Sequence, residues 1–284
     1  MKVKIFVVAM FAVLATTALR AQKLGVWTSV SNGAALAAAG GDFIEENAQK
    51  FLVPDKDEAA FDAMLAQAKA SPVPMASCNM FLPGSMKLFG PQTVPRQTLL
   101  DWGEVLFRRA DRASLKVVVF GCSGSRKIPN GMDRAQAERQ FVELMSAYAD
   151  MAAKYKIMLV LEPVNRKEVN FINTIADAVR IVRKVNKPYF RTMADFYHMA
   201  MNEEPASEIV KYKKYLYHFH VSEVKDRAPL GTYGDDLGAY FAAMRRIGFT
   251  GMISMESKFS DFDTQIGPAM AAFRNDVFES NIKK

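Results

Sequence analysis

Four side chains that could bind a metal ion stand at the ends of four separate apolar segments. They are Glu162, Asp195, His220 and Glu256. Successive members are separated by roughly one strand–helix unit, which takes about 30 residues. Three carboxylates and one imidazole suit Mn²⁺ best, with Mg²⁺, Co²⁺ or Zn²⁺ as alternatives. An ion held this way could polarise a substrate carbonyl and stabilise an enediolate.

Two of these carboxylates could also transfer protons. Glu162 and Glu256 could face each other across the reacting carbons, so that one removes a proton and the other returns one. His198 follows Asp195 by three residues, and a helical turn there would place both side chains on one face, with His198 able to contact substrate. His218 and His220 point to the same side of one strand. We expect His220, nearer the strand end, to be the ligand, with His218 packing more deeply.

The elements that must position these side chains alternate between apolar strands and amphipathic helices. Several strands are nearly continuous apolar runs, as in parallel strands that are buried on both faces. The predicted strands are Leu24–Val30, Asp42–Glu46, Val73–Asn79, Lys116–Phe120, Ile157–Glu162, Arg191–Asp195, Leu216–Val221 and Met252–Glu256. This order predicts an α/β fold, a single (β/α)8 TIM barrel with its active site where the strands end. A doubly wound sheet is the alternative, but no strand is followed by a phosphate-binding glycine fingerprint.

Helical spacing of apolar residues fills the segments between most strands. The predicted helices are Asp57–Ala70, Val94–Ala113, Met132–Lys154, Ile172–Asn186, Pro205–Lys214, Asp235–Ile247 and Asp263–Phe278. The segment between the first two strands is rich in Ala and Gly, so its helix is not assigned bounds. The pattern also predicts that Glu46, Asn79 and Arg126 face the mouth, where they could bind substrate. Trp27, at the end of the first strand, could stack on a sugar ring or pack in the core.

The N-terminal residues have the pattern of a secretory signal peptide. Lys2 and Lys4 precede the apolar run Ile5 to Leu14, and small residues follow up to Ala21. We therefore divide the chain into a signal peptide, residues 1–21, and one barrel domain, residues 22–284. The expected location is outside the cytoplasm, in the periplasm. An uncleaved leader would instead anchor the protein, and this is its only expected contact with a membrane.

The charge distribution argues against one class of binding partner, and the two cysteines leave the question of a disulfide open. The net charge of +7 falls to +4 without Lys2, Lys4 and Arg20, and the remaining basic residues are scattered. No basic stripe interleaved with aromatic residues is present, so nucleic-acid binding is not expected. Cys78 and Cys122 could pair in an oxidising compartment or remain buried free thiols. Sequence cannot choose between them, since pairing depends on Cα spacing.

The residues around the four ligands carry a family resemblance. The segment Glu162 to Glu168, the pair Asp195 and His198, the pair His218 and His220, and Glu256 resemble the sugar phosphate isomerase/epimerase family. These xylose-isomerase-like TIM barrels include ketose 3-epimerases and hydroxypyruvate isomerases. The resemblance extends over essentially the whole chain after residue 22. It implies a metal site at Glu162, Asp195, His220 and Glu256, with Glu162 and Glu256 as the acid/base pair.

The same resemblance implies further substrate-binding residues. His198 would bind substrate oxygens, and Glu168 matches a glutamate six residues after the first ligand. The family arginine six residues after the ligand histidine aligns with Asp226. We assume an insertion of one residue and assign this role to Arg227. Family members often form dimers or tetramers, so a homo-oligomer is an expected partner state beside a small sugar substrate.

The predicted activity is a metal-dependent sugar isomerase or epimerase that abstracts a proton beside a carbonyl. Three alternatives stay open at this point. The same enolisation could cleave a keto-glycoside by β-elimination, it could isomerise a hydroxypyruvate-type substrate, or the barrel could bind sugar without catalysis. A DNA-repair endonuclease of the same superfamily is disfavoured, because such sites resemble multi-zinc centres with many histidines and this chain has three.

Overall fold

Eight parallel strands close into one barrel in the order β1 to β8. The structure is a computed structural model and describes residues 22–278. The strands are β1 Lys23–Trp27, β2 Phe43–Asn47, β3 Met75–Asn79, β4 Val117–Phe120, β5 Met158–Leu161, β6 Phe190–Asp195, β7 Leu216–Val221 and β8 Met252–Met255. Each strand pairs only with its sequence neighbours, and β8 closes the ring onto β1. The predicted barrel is therefore confirmed.

Helices surround the barrel between successive strands. They are α1 Gly33–Ala38, α2 Ala48–Phe51, α3 Glu58–Ala70, α4 Arg96–Arg112, α5 Arg134–Lys154, α6 Ile175–Val185, α7 Phe196–Met201, α8 Ser207–Lys211, α9 Gly238–Arg246 and α10 Phe262–Phe278. Short 3₁₀ turns cover Val30–Asn32, Lys213–Tyr215 and Lys225–Arg227. No helix within residues 22–278 is both long enough and apolar enough to cross a membrane.

The alternation of side chains along the strands separates two apolar regions. In β4, Val118 and Phe120 belong to the large core beneath the helices, whereas Val117 and Val119 join Val160 and Met193 in a separate cluster. Alternate residues of a barrel strand point to opposite faces, so the second cluster fills the barrel interior. This packed interior supports the polar side chains at the strand ends.

Side-chain caps determine where several helices begin. Asp133 accepts hydrogen bonds from the backbone N–H groups of Ala135 and Gln136, and Thr174 accepts one from Asp177. Such caps satisfy backbone donors that have no partner within the helix. Asp195 caps α7 through the backbone N–H of His198. The last strand residue of β6 therefore also fixes the turn that holds His198.

Cys78 and Cys122 are both buried free thiols. The Cys122 sulfur accepts a hydrogen bond from the backbone N–H of Leu82 at 2.9 Å. Burial raises the pKa of the Cys122 thiol to about 12 and that of Cys78 well above its usual value. The structure therefore favours two buried free thiols over a disulfide between Cys78 and Cys122.

Candidate active site

Four side chains converge at the carboxyl ends of neighbouring strands. Glu162 directly follows β5, Asp195 ends β6, His220 lies in β7 and Glu256 directly follows β8. One donor atom from each lies within 4.8 Å of the donor atoms of the other three. Asp195 and His220 are almost completely buried, while the Glu256 side chain is 13% exposed. The cluster thus opens toward solvent on one side.

His220 presents one ring nitrogen to the cluster and the other to the barrel interior. Its Nδ1 lies 2.9 Å from Oε2 of Glu256 and 3.2 Å from Oε1 of Glu162. Its Nε2 lies 2.7 Å from Oε1 of Glu45. A proton on Nε2 would be held by Glu45, which leaves the lone pair of Nδ1 for the cluster. The imidazole is oriented as a ligand would be.

Glu45 is the centre of a second, deeper polar group. Its Oε2 accepts hydrogen bonds from Oγ of Ser77 at 2.6 Å and pairs with Nε2 of His218 at 2.9 Å. Burial acts to raise the pKa of Glu45, but His220 and His218 outweigh it and lower the pKa. Glu45, His218 and His220 also have a spacing that could hold an ion. We interpret the group as a support for His220, because Nε2–carboxylate contacts of this kind fix the orientation of ligand imidazoles.

Arg227 places a positive charge against two of the carboxylates, Glu256 and Asp195. Its Nη2 donates to Oε2 of Glu256 at 2.6 Å and to Oδ2 of Asp195 at 3.1 Å. The backbone at Asp226 and Arg227 has positive φ angles of 58° and 53°, which turns the loop so that Arg227 enters the site. Burial acts to raise the pKa of Glu256, but Arg227 and His220 lower it, so this carboxylate is ionised at neutral pH.

Asn79 contacts the other oxygen of Glu256. Its Nδ2 donates to Oε1 of Glu256 at 2.9 Å, and its Oδ1 accepts from Nε1 of Trp27 at 2.9 Å. Both oxygens of Glu256 therefore have hydrogen-bond donors. Trp27 reaches the site through Asn79, so part of its ring is held at the mouth.

The loop after β5 meets α7 beside Asp195. Asn165 Nδ2 lies 2.9 Å from Nδ1 of His198 and donates to Oε1 of Glu168 at 2.8 Å. Nε2 of His198 lies 3.7 Å from Oδ2 of Asp195. The Glu168 side chain is 38% exposed, whereas that of His198 is 4% exposed. His198 and Glu168 thus lie next to each other at the edge of the cluster.

Arg126 does not occupy the position expected from the sequence, whereas Glu46 lies at the strand ends but outside the cluster. Arg126 is fully buried and donates to the backbone carbonyl oxygens of Glu162 at 2.7 Å and Phe120 at 3.3 Å. It supports the ends of β4 and β5 and has no exposed surface with which to bind substrate. Glu46 is not part of the cluster: its Oε2 accepts from the backbone N–H of Val30 at 2.9 Å, and the residue lines a cavity beside Trp27 and Ser257. The preceding residue, Glu45, points into the barrel instead.

The carboxylate of Glu162 occupies space that Gly121 leaves open. Gly121 follows the last residue of β4, and a Cβ atom there would overlap Oε2 of Glu162. Arg126 holds the backbone of Glu162 from the other side. The side-chain position of Glu162 therefore depends on the absence of a side chain at residue 121.

The chemistry of this donor set fits a divalent cation. Three carboxylates lie within a few ångströms of one another, and their mutual repulsion is offset by Arg227 and His220. Burial acts to lower the pKa of His220, but Glu45 and Glu256 hold it well above its usual range. A bound cation would replace the proton on His220, because metal binding to a protonated ligand releases that proton. Glu162, Asp195, His220 and Glu256 are the residues that would hold it.

Two contributors were missed by the sequence analysis. Glu45 directly precedes Glu46, and adjacent strand residues point to opposite faces, so only one of the two glutamates can point into the barrel. The pairing of β2 with β3 has an irregularity between Ile44 and Glu45, which makes the inward face hard to assign. Asn165 lies within the segment Glu162 to Glu168, for which the sequence analysis assigns roles only to Glu162 and Glu168. Its position three residues before Glu168 was the available signal.

Comparison with protein families gives one match that covers most of the chain. A family described as "Xylose isomerase-like TIM barrel" matches residues 34–276. Among curated relatives, the L-ribulose 3-epimerase of Methylomonas sp. is 33% identical over 136 residues, 47% of each chain. The ketose 3-epimerase of Arthrobacter globiformis is 36% identical over 110 residues, 38% of each chain. The matched regions thus span about half or less of these relatives' lengths.

Solved structures share the fold at low sequence identity. A D-allulose 3-epimerase from Methylomonas sp. superimposes with a TM-score of 0.76 at 22% identity, covering 90% of this chain and 98% of that one. A 3-keto-D-glucoside 4-epimerase from E. coli gives a TM-score of 0.74 at 17% identity, covering 89% and 99%. At this identity the likeness establishes the fold alone.

Proposed function

Because this chain belongs to the xylose isomerase-like TIM barrel family, we propose that it is a divalent-metal-dependent sugar isomerase or epimerase. Its substrate in this proposal is a ketose or another keto-sugar. The reaction abstracts a proton from a carbon beside the carbonyl and returns a proton to the same or the neighbouring carbon. Mn²⁺ is the proposed ion, with Mg²⁺, Co²⁺ and Zn²⁺ as alternatives.

One observation carries the proposal. Two glutamates, Glu162 and Glu256, come from strands on different sides of His220 and approach its Nδ1 to within 3.2 and 2.9 Å. An epimerase that inverts a carbon by proton transfer uses two such groups, one on each face of that carbon. A sugar-binding protein would have no need for this pair.

The proton transfers follow from this arrangement. One glutamate accepts the proton, and the electrons of the broken C–H bond move toward the carbonyl oxygen to give an enediolate. The other glutamate, which must enter the step protonated, delivers its proton to the opposite face of the enediolate, which inverts the carbon in an epimerase; with Glu256 ionised, Glu256 is the acceptor and Glu162 the donor. A bound divalent ion would supply Lewis-acid polarisation of the carbonyl and the adjacent hydroxyl.

The remaining residues orient the carboxylates and the substrate. Arg227 keeps Glu256 ionised and balances the charge of Asp195. Asn79 fixes the second oxygen of Glu256. We propose that His198, Glu168 and Arg227 bind substrate oxygens, since all three lie at the edge of the cluster.

The named activities of relatives support the substrate class. They include epimerases of L-ribulose and D-psicose and, in E. coli, a 3-dehydro-D-guloside 4-epimerase that is 28% identical over 109 residues. Each name describes that relative. For this chain we propose the chemistry they share, which is proton exchange beside a sugar carbonyl.

Deuterium incorporation tests the proposal directly. The protein, starting at Gln22 and loaded with Mn²⁺, is incubated in D₂O with a panel of ketoses. Chelator then stops the reaction, and the paramagnetic ion is removed before proton NMR. We expect deuterium at a carbon beside the carbonyl, loss of exchange after chelation, and recovery on adding metal back. Released aglycone from a keto-glycoside would indicate the lyase alternative, and absence of exchange across the panel would count against the isomerase.

We also propose that the protein is exported to the periplasm as a cleaved precursor. The predicted leader, residues 1–21, lies outside the described residues, so the proposal rests on its basic, apolar and small-residue pattern. N-terminal sequencing of protein from a periplasmic extract should begin at Gln22. We also propose a homo-oligomer, for the sole reason that family members often form dimers or tetramers. Light scattering would measure the molar mass and hence the oligomeric state.

A further inference from the structure

A cavity adjoins the candidate active site where β1, β2 and β8 end. We propose that it holds a second sugar ring, glycosidically linked to the keto-sugar that reacts at Glu162 and Glu256. The cavity has a volume of about 460 Å³, within the range of small-molecule sites. This inference rests on the proposed function, because it assigns the substrate class of the same site.

The cavity shares its wall with the catalytic residues. Ser257, which lines it, directly follows Glu256. Trp27 also lines it and donates to Asn79, which in turn donates to Glu256. Asn47 lines it from β2 and pairs in register with Asn79 on β3. A group attached to a sugar bound at Glu256 could therefore extend directly into the cavity.

The lining combines aromatic rings with hydrogen-bonding groups. Phe259 and Phe262 lie with ring centroids 4.9 Å apart and stand in the same cavity as Trp27. Asn32 and Lys50 contribute polar groups, and neither is deeply buried. Sugar rings present C–H faces that pack on aromatic rings and hydroxyls that need polar partners. Apolar walls with a few polar groups are typical of sites for such ligands.

One buried hydroxyl in the wall lacks a partner. Ser257 is 4% exposed, and its Oγ makes no hydrogen bond with any of residues 22–278. Buried polar groups usually have hydrogen-bond partners, because leaving one without a partner is destabilising. Because Ser257 also lines the cavity, a rotation of its side chain would bring this enclosed hydroxyl to a ligand hydroxyl there. The unpartnered hydroxyl therefore points to an occupant that carries hydrogen-bonding groups.

The test compares free fructose with disaccharides that contain a reducing fructose unit. Turanose, lactulose and palatinose carry the second ring on different hydroxyls of the fructose, so together they sample different directions. Deuterium exchange is measured as in the assay of function, and the readout is the ratio of kcat/KM for each disaccharide to that for fructose. We expect at least one ratio to exceed about 10. Ratios below 1 for all three disaccharides would overturn the inference.

Variants within and outside the cavity locate the effect. Phe262→Ala should lower the kcat/KM ratio of the best disaccharide to fructose about 10-fold. Phe259→Ala provides a second test of the cavity if Phe262→Ala is unstable. Tyr217→Ala is the matched control, because it removes an exposed aromatic ring from the start of β7, at the opposite end of the barrel. Equal losses of the ratio in Phe262→Ala and Tyr217→Ala would also overturn the inference.

A binding assay separates failure of this inference from failure of the proposed function. The chain has two tryptophans, Trp27 and Trp102, so Trp102→Phe leaves Trp27 as the only indole. Its fluorescence is titrated with the disaccharides and with fructose. A saturable change with a disaccharide that is lost in the Phe262→Ala double variant would support the cavity even if no sugar exchanges deuterium. No difference between disaccharide and fructose in binding would refute it even if fructose exchanges.

Discussion

Glu162 and Glu256 can be tested as proton-transfer groups by exchanging one carboxylate oxygen for an amide nitrogen. Glutamine keeps an oxygen that can face a cation but cannot accept a proton at neutral pH. We expect Glu162→Gln and Glu256→Gln each to lower deuterium exchange by at least about 100-fold at saturating metal. The matched control is Glu104→Gln, in which the lost contacts are with Lys154 and Tyr155 on the outer helices. A loss of only a few fold in the first two variants would rule out these roles.

Glu45 offers a test of positioning that is independent of substrate contact. Glu45→Gln replaces the carboxylate that contacts Nε2 of His220 with a neutral amide and so weakens this contact. We expect the metal affinity to fall about 10- to 100-fold. Competition with a fluorescent chelator measures this affinity without any sugar.

Glu46→Gln is the control for the effect of Glu45, since Glu46 is the adjacent buried glutamate and contacts Val30 instead. Metal affinity should stay within about twofold in this variant. Equal effects of the two substitutions would mean that general destabilisation, rather than orientation of His220, explains the loss.

At the scale of residues, the sequence predicted which side chains cluster at the mouth better than which residues support them. Glu162, Asp195, His220 and Glu256 could be recognised because each ends an apolar strand at regular spacing. Glu45 could not, because its neighbour Glu46 has the same side chain and only the strand register determines which one points inward. Arg126 was assigned to the mouth, although its guanidinium group turns back to two backbone carbonyls.

At the scale of elements, the end of β4 must leave room for a side chain from β5. Gly121→Ala would place a methyl group against Oε2 of Glu162 and displace that carboxylate. We expect deuterium exchange to fall at least about 10-fold, since small misplacements of catalytic groups are costly.

Gly84→Ala is the control for Gly121→Ala. A Cβ atom at Gly84 meets only the backbone of Gly124, at an ordinary contact distance of 3.7 Å. Thermal unfolding should show whether both variants fold. Full activity of a folded Gly121→Ala variant would contradict the packing argument.

The strands could be predicted closely and the short helices could not. The predicted segment Leu216–Val221 agrees with β7, and the other strands differ by a few residues at their ends. In contrast, α2 and α7 have only four and six residues, too few for an amphipathic period to be read. The predicted helix Pro205–Lys214 ends at Lys211, where the backbone turns into a 3₁₀ segment.

At the scale of the whole molecule, one buried carboxyl group links stability to pH. Glu204 is 6% exposed, and its Oε1 accepts from the backbone N–H of Ile175 at the start of α6. Burial raises its pKa to about 7, and nearby Glu208 and Asp177 add to this effect. The unfolded value is about 4.3. The stabilising contribution is thus fully present below the unfolded pKa and is lost as the pH rises through about 7.

Glu204→Gln should remove this dependence, because glutamine stays neutral and retains an oxygen acceptor for Ile175. Relative to wild type, we expect the variant to gain on the order of 2 kcal/mol in the free energy of unfolding between pH 5 and pH 8. Urea unfolding at the two pH values measures the gain. Glu203→Gln, on the exposed neighbouring residue, is the control and should show no such gain.

The two buried thiols have a practical consequence for where this barrel can fold. Neither Cys78 nor Cys122 is in a disulfide, and burial keeps both protonated and hence poorly reactive. Folding of the barrel therefore needs no oxidant and no disulfide isomerase. The chain from Gln22 onward should reach the same fold in a reducing cytoplasm as in an oxidising compartment, and a reductant such as dithiothreitol should leave its melting temperature unchanged.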